Sequence, residues 1–350
     1  MANLIRTAVI GAGHMGRHHA RILKELPDAV LVAVVDRDLE RAKKHVENSD
    51  ALACKDASEI MDRVDAAVIS VPTIRHLEVA APFIERNIPV LIEKPIASSV
   101  EEATKLLDLA EKSGTLVQVG HSERFNPVIS VLQRMQVAPK FIEVHRISPF
   151  TFRSADIGVI FDMMIHDIDI VLNTVRSRPA RIDAVGINVL GPNEDIASAR
   201  VVFQNGCVAN LTASRLALKT ERKIRIFSQE AYLSLDFQKK IGLAVKKNAN
   251  LDILKLAREK NVDDLSQMQD LDFGSMVNVE PLTFDDVEPL RAELQAFLDS
   301  IRTGAPPAVS ARDGADAVQL AHDILESVKG HKWEGTDTGP VGLDGSLISV

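Results

Sequence analysis

The chain has 350 residues, 46% hydrophobic and 26% charged, which is enough material for two domains with separate cores. A net charge of −8, without basic runs or interleaved aromatics, argues against a nucleic-acid partner or an anionic membrane surface. Cys54 and Cys207 are too few and too far apart for a disulfide framework or a cysteine-built zinc site. No apolar run is long enough to span a bilayer, and the first strand begins too early to leave room for a signal peptide, so the expected compartment is the cytoplasm.

Leu4 to Ile10 reads as a short strand leading into Gly11-Ala12-Gly13-His14-Met15-Gly16, followed by helical spacing over residues 17–26 that stops at Pro27. In such a turn Gly11 permits the tight bend, Gly13 lets the backbone approach a pyrophosphate, and Gly16 lets the helix pack on the strand. The phosphates then lie against the helix N-terminus, with His14 and Met15 as further candidate cofactor contacts. His18 and His19 are neighbours that point in different directions on a helix, so they read as surface or packing residues, not metal ligands. The second strand, Val30 to Val35, ends in Asp36, twenty positions beyond Gly16. A carboxylate there accepts from ribose hydroxyls and repels a 2′-phosphate, favouring NAD over NADP, whereas the adjacent Arg37 pulls toward the phosphate.

Asp65 to Val71 is the next buried strand, followed by Pro72 and a helix carrying His76, which either reaches the nicotinamide side or packs the helix. Val90 to Ile92 then delivers Glu93-Lys94-Pro95 at a strand's carboxyl end, where open α/β sheets bind ligands. Alone, this pair reads more readily as a surface ion pair closing a strand than as a functional one. Ser99 with Glu102 predicts a capping box, Gly114 ends that helix, and Thr115 to Val119 leads to Gly120-His121. This alternation predicts an α/β Rossmann domain over residues 1–123, a doubly wound parallel sheet.

Residues 124–350 read as an α+β domain with a large, mostly antiparallel sheet. Asn126 caps a helix opened by Pro127, and strands follow over 140–147, 180–190, 197–203, 207–213, 223–227 and 232–237. Asn205-Gly206 is a hairpin signal. A broad sheet with little helical cover on one face predicts oligomerisation through that face. Residues 247–282 read as an extended loop, helices follow over 287–302 and 310–328, and the end from Gly330 reads as loosely ordered. Within this half, Asp162, His166 and Asp169 share one face of a helix. Flanking carboxylates are expected to fix the imidazole tautomer and raise its basicity for proton abstraction, although a solvated helix face is the plainer alternative. One histidine with carboxylates is a poor metal site.

The glycine fingerprint, Pro72 with His76, Glu93-Lys94-Pro95, and Asp162 with His166 together resemble the glucose–fructose oxidoreductase/inositol dehydrogenase (Gfo/Idh/MocA) family. The resemblance covers nearly the whole chain. It implies a two-domain subunit that assembles as a homodimer or homotetramer on the C-terminal sheet and reversibly oxidises a sugar or cyclitol hydroxyl with NAD(P). It assigns catalysis to Lys94 and His166, assisted by Asp162. The usual triple glycine before the helix is replaced by Ile157-Gly158-Val159. The segments Gly120 to Pro127, Arg153 to Val159 and Asp162 to Ile170 resemble a narrower branch, the bacterial UDP-N-acetylglucosamine 3-dehydrogenases, whose 3-keto product is aminated for some lipid A. On that reading the substrate is a small sugar nucleotide held by Lys94, Asp162 and His166, with Arg124, Arg146 and Arg153 available for the diphosphate. The alternatives are an inositol or free-sugar dehydrogenase and a catalytically silent NAD-binding regulator.

Overall fold

The computed structural model describes residues 4–135, 137–151, 157–247 and 277–333. In the first half, short apolar strands alternate with amphipathic helices: β1 (Ile5–Ile10), α1 (His14–Glu25), β2 (Ala29–Val35), α2 (Leu39–Val46), β3 (Leu52–Cys54), β4 (Ala66–Ile69), α3 (His76–Glu85), β5 (Val90–Glu93), α4 (Val100–Ser113) and β6 (Val117–Gly120). All six strands are parallel, in the order β3-β2-β1-β4-β5-β6. Strands covered on both faces must be apolar throughout, and β4 and β5 are buried at every position. The order reverses between β1 and β4, which opens a crevice at the carboxyl ends of the strands. Ser99 caps α4 by accepting from the Glu102 amide at 3.2 Å, but Glu102 reaches back to Ser98 instead, so the expected capping box is displaced by one residue.

The second half contains α5 (Pro127–Met135), β7 (Phe141–Ile147), a π-helical turn (Ile160–Met164), α6 (Ile165–Val175), β8 (Pro179–Ile187), β9 (Ile196–Phe203), β10 (Val208–Ser214), β11 (Glu221–Phe227), β12 (Ala231–Asp236), β13 (Ile241–Lys247), β14 (Val277–Leu282), α7 (Pro289–Thr303) and α8 (Ala311–Gly330). Eight strands form one sheet, β14-β13-β12-β11-β7-β10-β9-β8, antiparallel except where β7 meets β10. The sheet is two strands wider than the sequence reading, because β13 and β14 continue it into the stretch expected to be loop. Gly242 and Pro281 weaken their strand signal, and a proline is tolerated on an edge strand such as β14. The rest of that stretch, 248–276, and the C-terminal end from 334 lie outside the described residues.

Inward-facing Ile142, Val144, Ile224, Ile226, Leu233 and Leu235 pack into the same core as α6 and α8. On the opposite face Phe141, Phe227 and Tyr232 stack across three strands, with ring centroids 5.6 and 4.9 Å apart. A division at residues 123/124 separates the two sheets but not the two cores. Helix α7 returns to the first sheet, where Leu294, Phe297 and Leu298 are buried with Ile5, Val9, Leu23 and Val34.

The fingerprint turn depends on two missing side chains. Gly11 has φ +99°, and a Cβ there would lie 2.4 Å from the Ser70 carbonyl oxygen. At Gly16 a Cβ would lie 1.8 Å from the Gly11 carbonyl oxygen, so α1 starts directly on the turn. Alanine is the better helix former by about 1 kcal/mol, so any loss in Gly16→Ala must come from that collision. We expect Gly16→Ala to destabilise the ligand-free chain by about 1–3 kcal/mol in a urea melt and to weaken nicotinamide-cofactor binding. An unchanged melt would mean that α1 can shift without cost.

Candidate active site

At the crevice, the carboxyl ends of β1, β2, β4 and β5 bound a cleft of about 630 Å³. Gly11, Gly13, His14, Met15, Asp36, Arg37, Pro72, His76, Glu93 and Lys94 all line it, with Gly16 beneath the turn. The Asp36 carboxylate is held by the Ala12 and Asp38 amides at 2.8 and 2.9 Å. A Cβ at Gly13 would meet nothing within 4 Å, so the main chain is open on that side. An open glycine backbone at a helix N-terminus, with a fixed carboxylate ending the second strand, fits a dinucleotide. Arg41, whose guanidinium is 3.8 Å from Asp36, also lines the cleft with Arg37, Lys55 and Arg75. His76 borders the cleft but is buried. Its Nε2 lies 3.0 Å from the Val71 carbonyl oxygen and its Nδ1 3.0 Å from that of Pro95. That occupies both nitrogens in tying the β4 exit to the Lys94-Pro95 turn.

Lys94, Asp162 and His166 come together in an adjoining cavity of about 390 Å³, with Glu93, Lys94, Asp162 and Met15 shared between the two. Lys94 Nζ donates to the Asp162 carbonyl oxygen at 2.7 Å and lies 3.7 Å from Asp162 Oδ1. Burial pushes the ammonium below its ordinary pKa, against the pull of Asp162 and Glu93. The run into α6 is a π turn whose start is held by Glu194. The Glu194 main-chain oxygen accepts from Val159 N at 3.1 Å and its carboxylate from Ile160 N at 3.2 Å. A Cβ at Gly158 would lie 2.0 Å from that carboxylate, so this position of the replaced triple glycine has no room for a side chain.

The expected flanking of His166 by carboxylates is corrected by the structure. Asp169 accepts a bidentate pair from Arg124 at 2.9 and 2.5 Å, and Asp162 faces Lys94. Among the described residues neither carboxylate hydrogen-bonds the ring, and His166 Nδ1 is buried without a protein partner. Burial and the charges of Lys94, Arg146, His121 and Arg222 hold the imidazole well below the ordinary histidine range, so its basicity is lowered, not raised. His121 is also buried, its ring 6.3 Å from that of His166 and nearly perpendicular to it.

The arginines are redistributed too. Arg124 is committed to Asp169 and lines neither cavity, and Arg153 lies outside the described residues. Arg146 does line the inner cavity, alongside Arg215 and Arg222, which the sequence reading missed. Their signal is strand parity: Arg146 follows inward-facing Ile142 and Val144, Arg215 follows Leu211 and Ala213, and Arg222 precedes Ile224 and Ile226. Arg146 and Arg222 are directly opposite in the β7–β11 ladder. Arg146 binds both Asp167 oxygens at 2.8 Å and Glu123 at 3.0 Å, and Arg222 shares Glu123 at 3.2 Å. Burial alone would raise the Glu123 carboxyl, but Arg146 and Arg222 bring it below the usual range. Arg215 is bound to Asp195 at 2.6 Å and to the Ile157 carbonyl at 2.7 Å, while the Arg222 side chain is 46% exposed.

Removing one member of a buried pair costs more than replacing both. Arg146→Leu is therefore expected to destabilise the chain by about 3–5 kcal/mol, and Arg146→Leu with Asp167→Leu by clearly less, in urea unfolding. A double variant no more stable than the single one would count against Asp167 as the group left unpaired.

Among the described residues no helix is long and apolar enough to cross a membrane, and no group of three or more His, Cys, Asp or Glu side chains is placed to hold a metal ion. The family model described as an oxidoreductase family with an NAD-binding Rossmann fold matches residues 5–121, and the GFO/IDH/MocA C-terminal domain matches residues 137–234. The UDP-N-acetylglucosamine 3-dehydrogenase of Acidithiobacillus ferrooxidans is 38% identical over 234 residues, 67% of this chain and 74% of its own length. A solved structure of that enzyme superposes with a TM-score of 0.83 at 30% identity, covering 93% of this chain and 97% of the other. The myo-inositol 2-dehydrogenase of Thermotoga maritima is 24% identical over 348 residues, 93% of this chain and 96% of its own. With both halves matched and the site assembled from both, the chain belongs to the Gfo/Idh/MocA family and is an oxidoreductase acting on CH–OH groups.

Proposed function

We propose that this enzyme oxidises a secondary hydroxyl of a sugar nucleotide, UDP-N-acetylglucosamine at C3, with NAD as the acceptor. The observation that carries this reading is the inner cavity, where Lys94 and His166 lie under three inward-facing arginines at strand ends. Arg146 and Arg215 are matched by Asp167, Glu123 and Asp195, so the capacity to meet a diphosphate, for which a free cyclitol has no use, falls to Arg222. Arg222, half in solvent and on one carboxylate, replaces Arg124 as the group best placed to meet it. The similarity to the Acidithiobacillus enzyme, on sequence and on structure, supports the same substrate.

A nicotinamide cofactor held by the Gly11 to Gly16 turn, Asp36 and the Lys94 strand end would supply a hydride acceptor for the carbinol carbon, and the hydroxyl proton is left for this chain's own residues. Burial disfavours the charged forms of both groups, which keeps His166 neutral and makes Lys94 a weaker base than a free lysine. Lys94 receives the proton and Asp162 orients its amine from 3.7 Å. His166, uncharged, holds the substrate hydroxyl by hydrogen bonding. Asp36 selects NAD, opposing the 2′-phosphate that Arg37 and Arg41 would attract. The stacked Phe141, Phe227 and Tyr232 on the open sheet face support assembly with a second copy of the chain.

For the cofactor, Asp36 is expected to favour NAD by roughly 1–3 kcal/mol, and Asp36→Ser to narrow or reverse that preference in fluorescence titrations. Tighter NADP binding by the unmutated enzyme would overturn the assignment. For the substrate, UDP-N-acetylglucosamine should yield a C3 ketone two mass units lighter, recovered under a carbonyl trap as the trap's adduct of that ketone, whereas free N-acetylglucosamine reacts hardly at all, because remote binding energy orients the reacting carbon. Lys94→Met should cut turnover by about 10²–10⁴-fold while leaving NAD affinity within about tenfold. Oxidation of myo-inositol or a free hexose, with no UDP-sugar oxidised even under the trap, would sink the sugar-nucleotide reading.

A further inference from the structure

Behind Glu93 lies a buried polar cluster that the reaction above does not use. His19, fully buried on α1, brings Nε2 to 2.7 Å from Glu93 Oε1, and its Nδ1 has no protein partner. Gln118, fully buried on β6, donates its amide to the Glu293 main-chain oxygen at 3.0 Å and leaves its own Oε1 unpartnered. Glu293, fully buried on α7, has neither carboxyl oxygen partnered among the described residues. Helix α7 packs against α1 and against the Ser122–Phe125 turn, so these side chains share one interior.

The charged groups acting on Glu293 are Glu93 on β5 and Asp169 on α6, both carboxylates and both already engaged, with His19 and Arg124. No cation is among them. An ionised carboxylate buried there would lack any counter-charge, whereas the neutral acid supplies an O–H donor and an acceptor. Burial first, then Glu93 and Asp169, push the Glu293 carboxyl well above its usual range. The orphaned atoms are complementary: a donor on Glu293, an acceptor on Gln118, and a ring nitrogen on His19. Buried polar atoms are paired with protein or with enclosed water, and with no partner for these among the described residues, enclosed water is the group that joins them.

We propose that Glu293 is a positioning residue: as a neutral carboxylic acid it anchors the His19–Glu93 pair through enclosed water and keeps one fixed negative charge behind Lys94. Glu93 lines the cleft, and an oxidised nicotinamide ring is cationic where the reduced ring is neutral. The anchored charge therefore favours the oxidised cofactor, and Glu293 sets that preference without touching it. This second step rests on the nicotinamide seat proposed above, whereas the protonation of Glu293 does not.

Two measurements test the proposal. Folded Glu293 keeps a proton that the unfolded chain loses above about pH 4.3, so the folded state binds more protons and this residue's contribution falls as pH rises toward its folded pKa. Melts of the ligand-free chain between about pH 5 and 8 should show Glu293→Gln gaining on the unmutated chain by up to about tenfold in the folding constant per pH unit. A pH-independent difference would show Glu293 ionised and overturn the proposal, whatever the cofactor site does. In titrations with NAD⁺ and NADH, Glu293→Gln should keep the unmutated affinity ratio, while Glu293→Leu and His19→Asn shift it toward NADH by about threefold to tenfold. Equal ratios in all of them would reduce Glu293 to packing.

Discussion

The two halves of the site depend on one contact, the donation from Lys94 Nζ to the Asp162 main-chain oxygen at 2.7 Å. It joins the last residue region of a first-sheet strand to the helix that packs beneath the second sheet. Lys94 cannot sit at a strand end without either water or a buried acceptor, since an ammonium needs hydrogen bonds when partly removed from solvent. The π turn at Ile160–Met164, where the helical ladder changes spacing, presents that acceptor. The same residue adds its carboxylate 3.7 Å away, so main chain and side chain of Asp162 both address the lysine. Cofactor cleft and inner cavity consequently share Glu93, Lys94 and Asp162 as a common wall.

The charges around this wall are nearly all assigned, and the assignments explain the chemistry left over. Glu93 belongs to His19, Glu123 to Arg146 and Arg222, Asp167 to Arg146, and Asp169 to Arg124. With the carboxylates turned to other partners, burial and then the nearby Lys94, Arg146 and Arg222 act on His166, and its neutral form prevails. Lys94 is subject to the same burial but retains two carboxylates nearby, which limits its shift. Two groups of different intrinsic basicity are thereby placed side by side, both with their charged forms disfavoured. In the mechanism proposed above, that arrangement separates a proton acceptor from a hydrogen-bonding neighbour.

What the sequence could show was what is encoded locally. The fingerprint turn, the Glu93-Lys94-Pro95 strand end and the hairpin at Asn205-Gly206 carry their conformations in adjacent residues, and each lies where expected; Gly206 takes φ +83° in its turn. The strands of the second sheet were legible through their period of two until β13 and β14, where Gly242 and Pro281 interrupt it. The long-range pairings were not legible. His19 and Glu93 are 74 residues apart, and Arg124 and Asp169 are 45 apart, so nothing in either segment announces the other. The basicity of His166 was misjudged for this reason, because it depends on which partner each carboxylate finds. Helix α7 was assigned to the wrong core because its apolar stripe says that it packs, not against which sheet.

The placement of His166 itself follows from its neighbours on α6. Residues 167 and 169 are two 100° steps apart on a helix and so face different elements. Asp167 meets Arg146 from β7, and Asp169 meets Arg124 from the turn after β6. Rotating the helix by one residue would unpair both, leaving the buried Asp167 and Asp169 uncompensated, each at a cost of several kcal/mol, while Arg146 and Arg124 keep Glu123 and Asp313. Against that, the net stability of either pair is small, since desolvation offsets most of the attraction. The pairs therefore contribute more to the orientation of α6 than to the stability of the fold. His166, next to one locked residue and three from the other, has its direction set by both. Asp169, which looked in the sequence like a helper of the imidazole, acts on it together with Asp167 by fixing where it points.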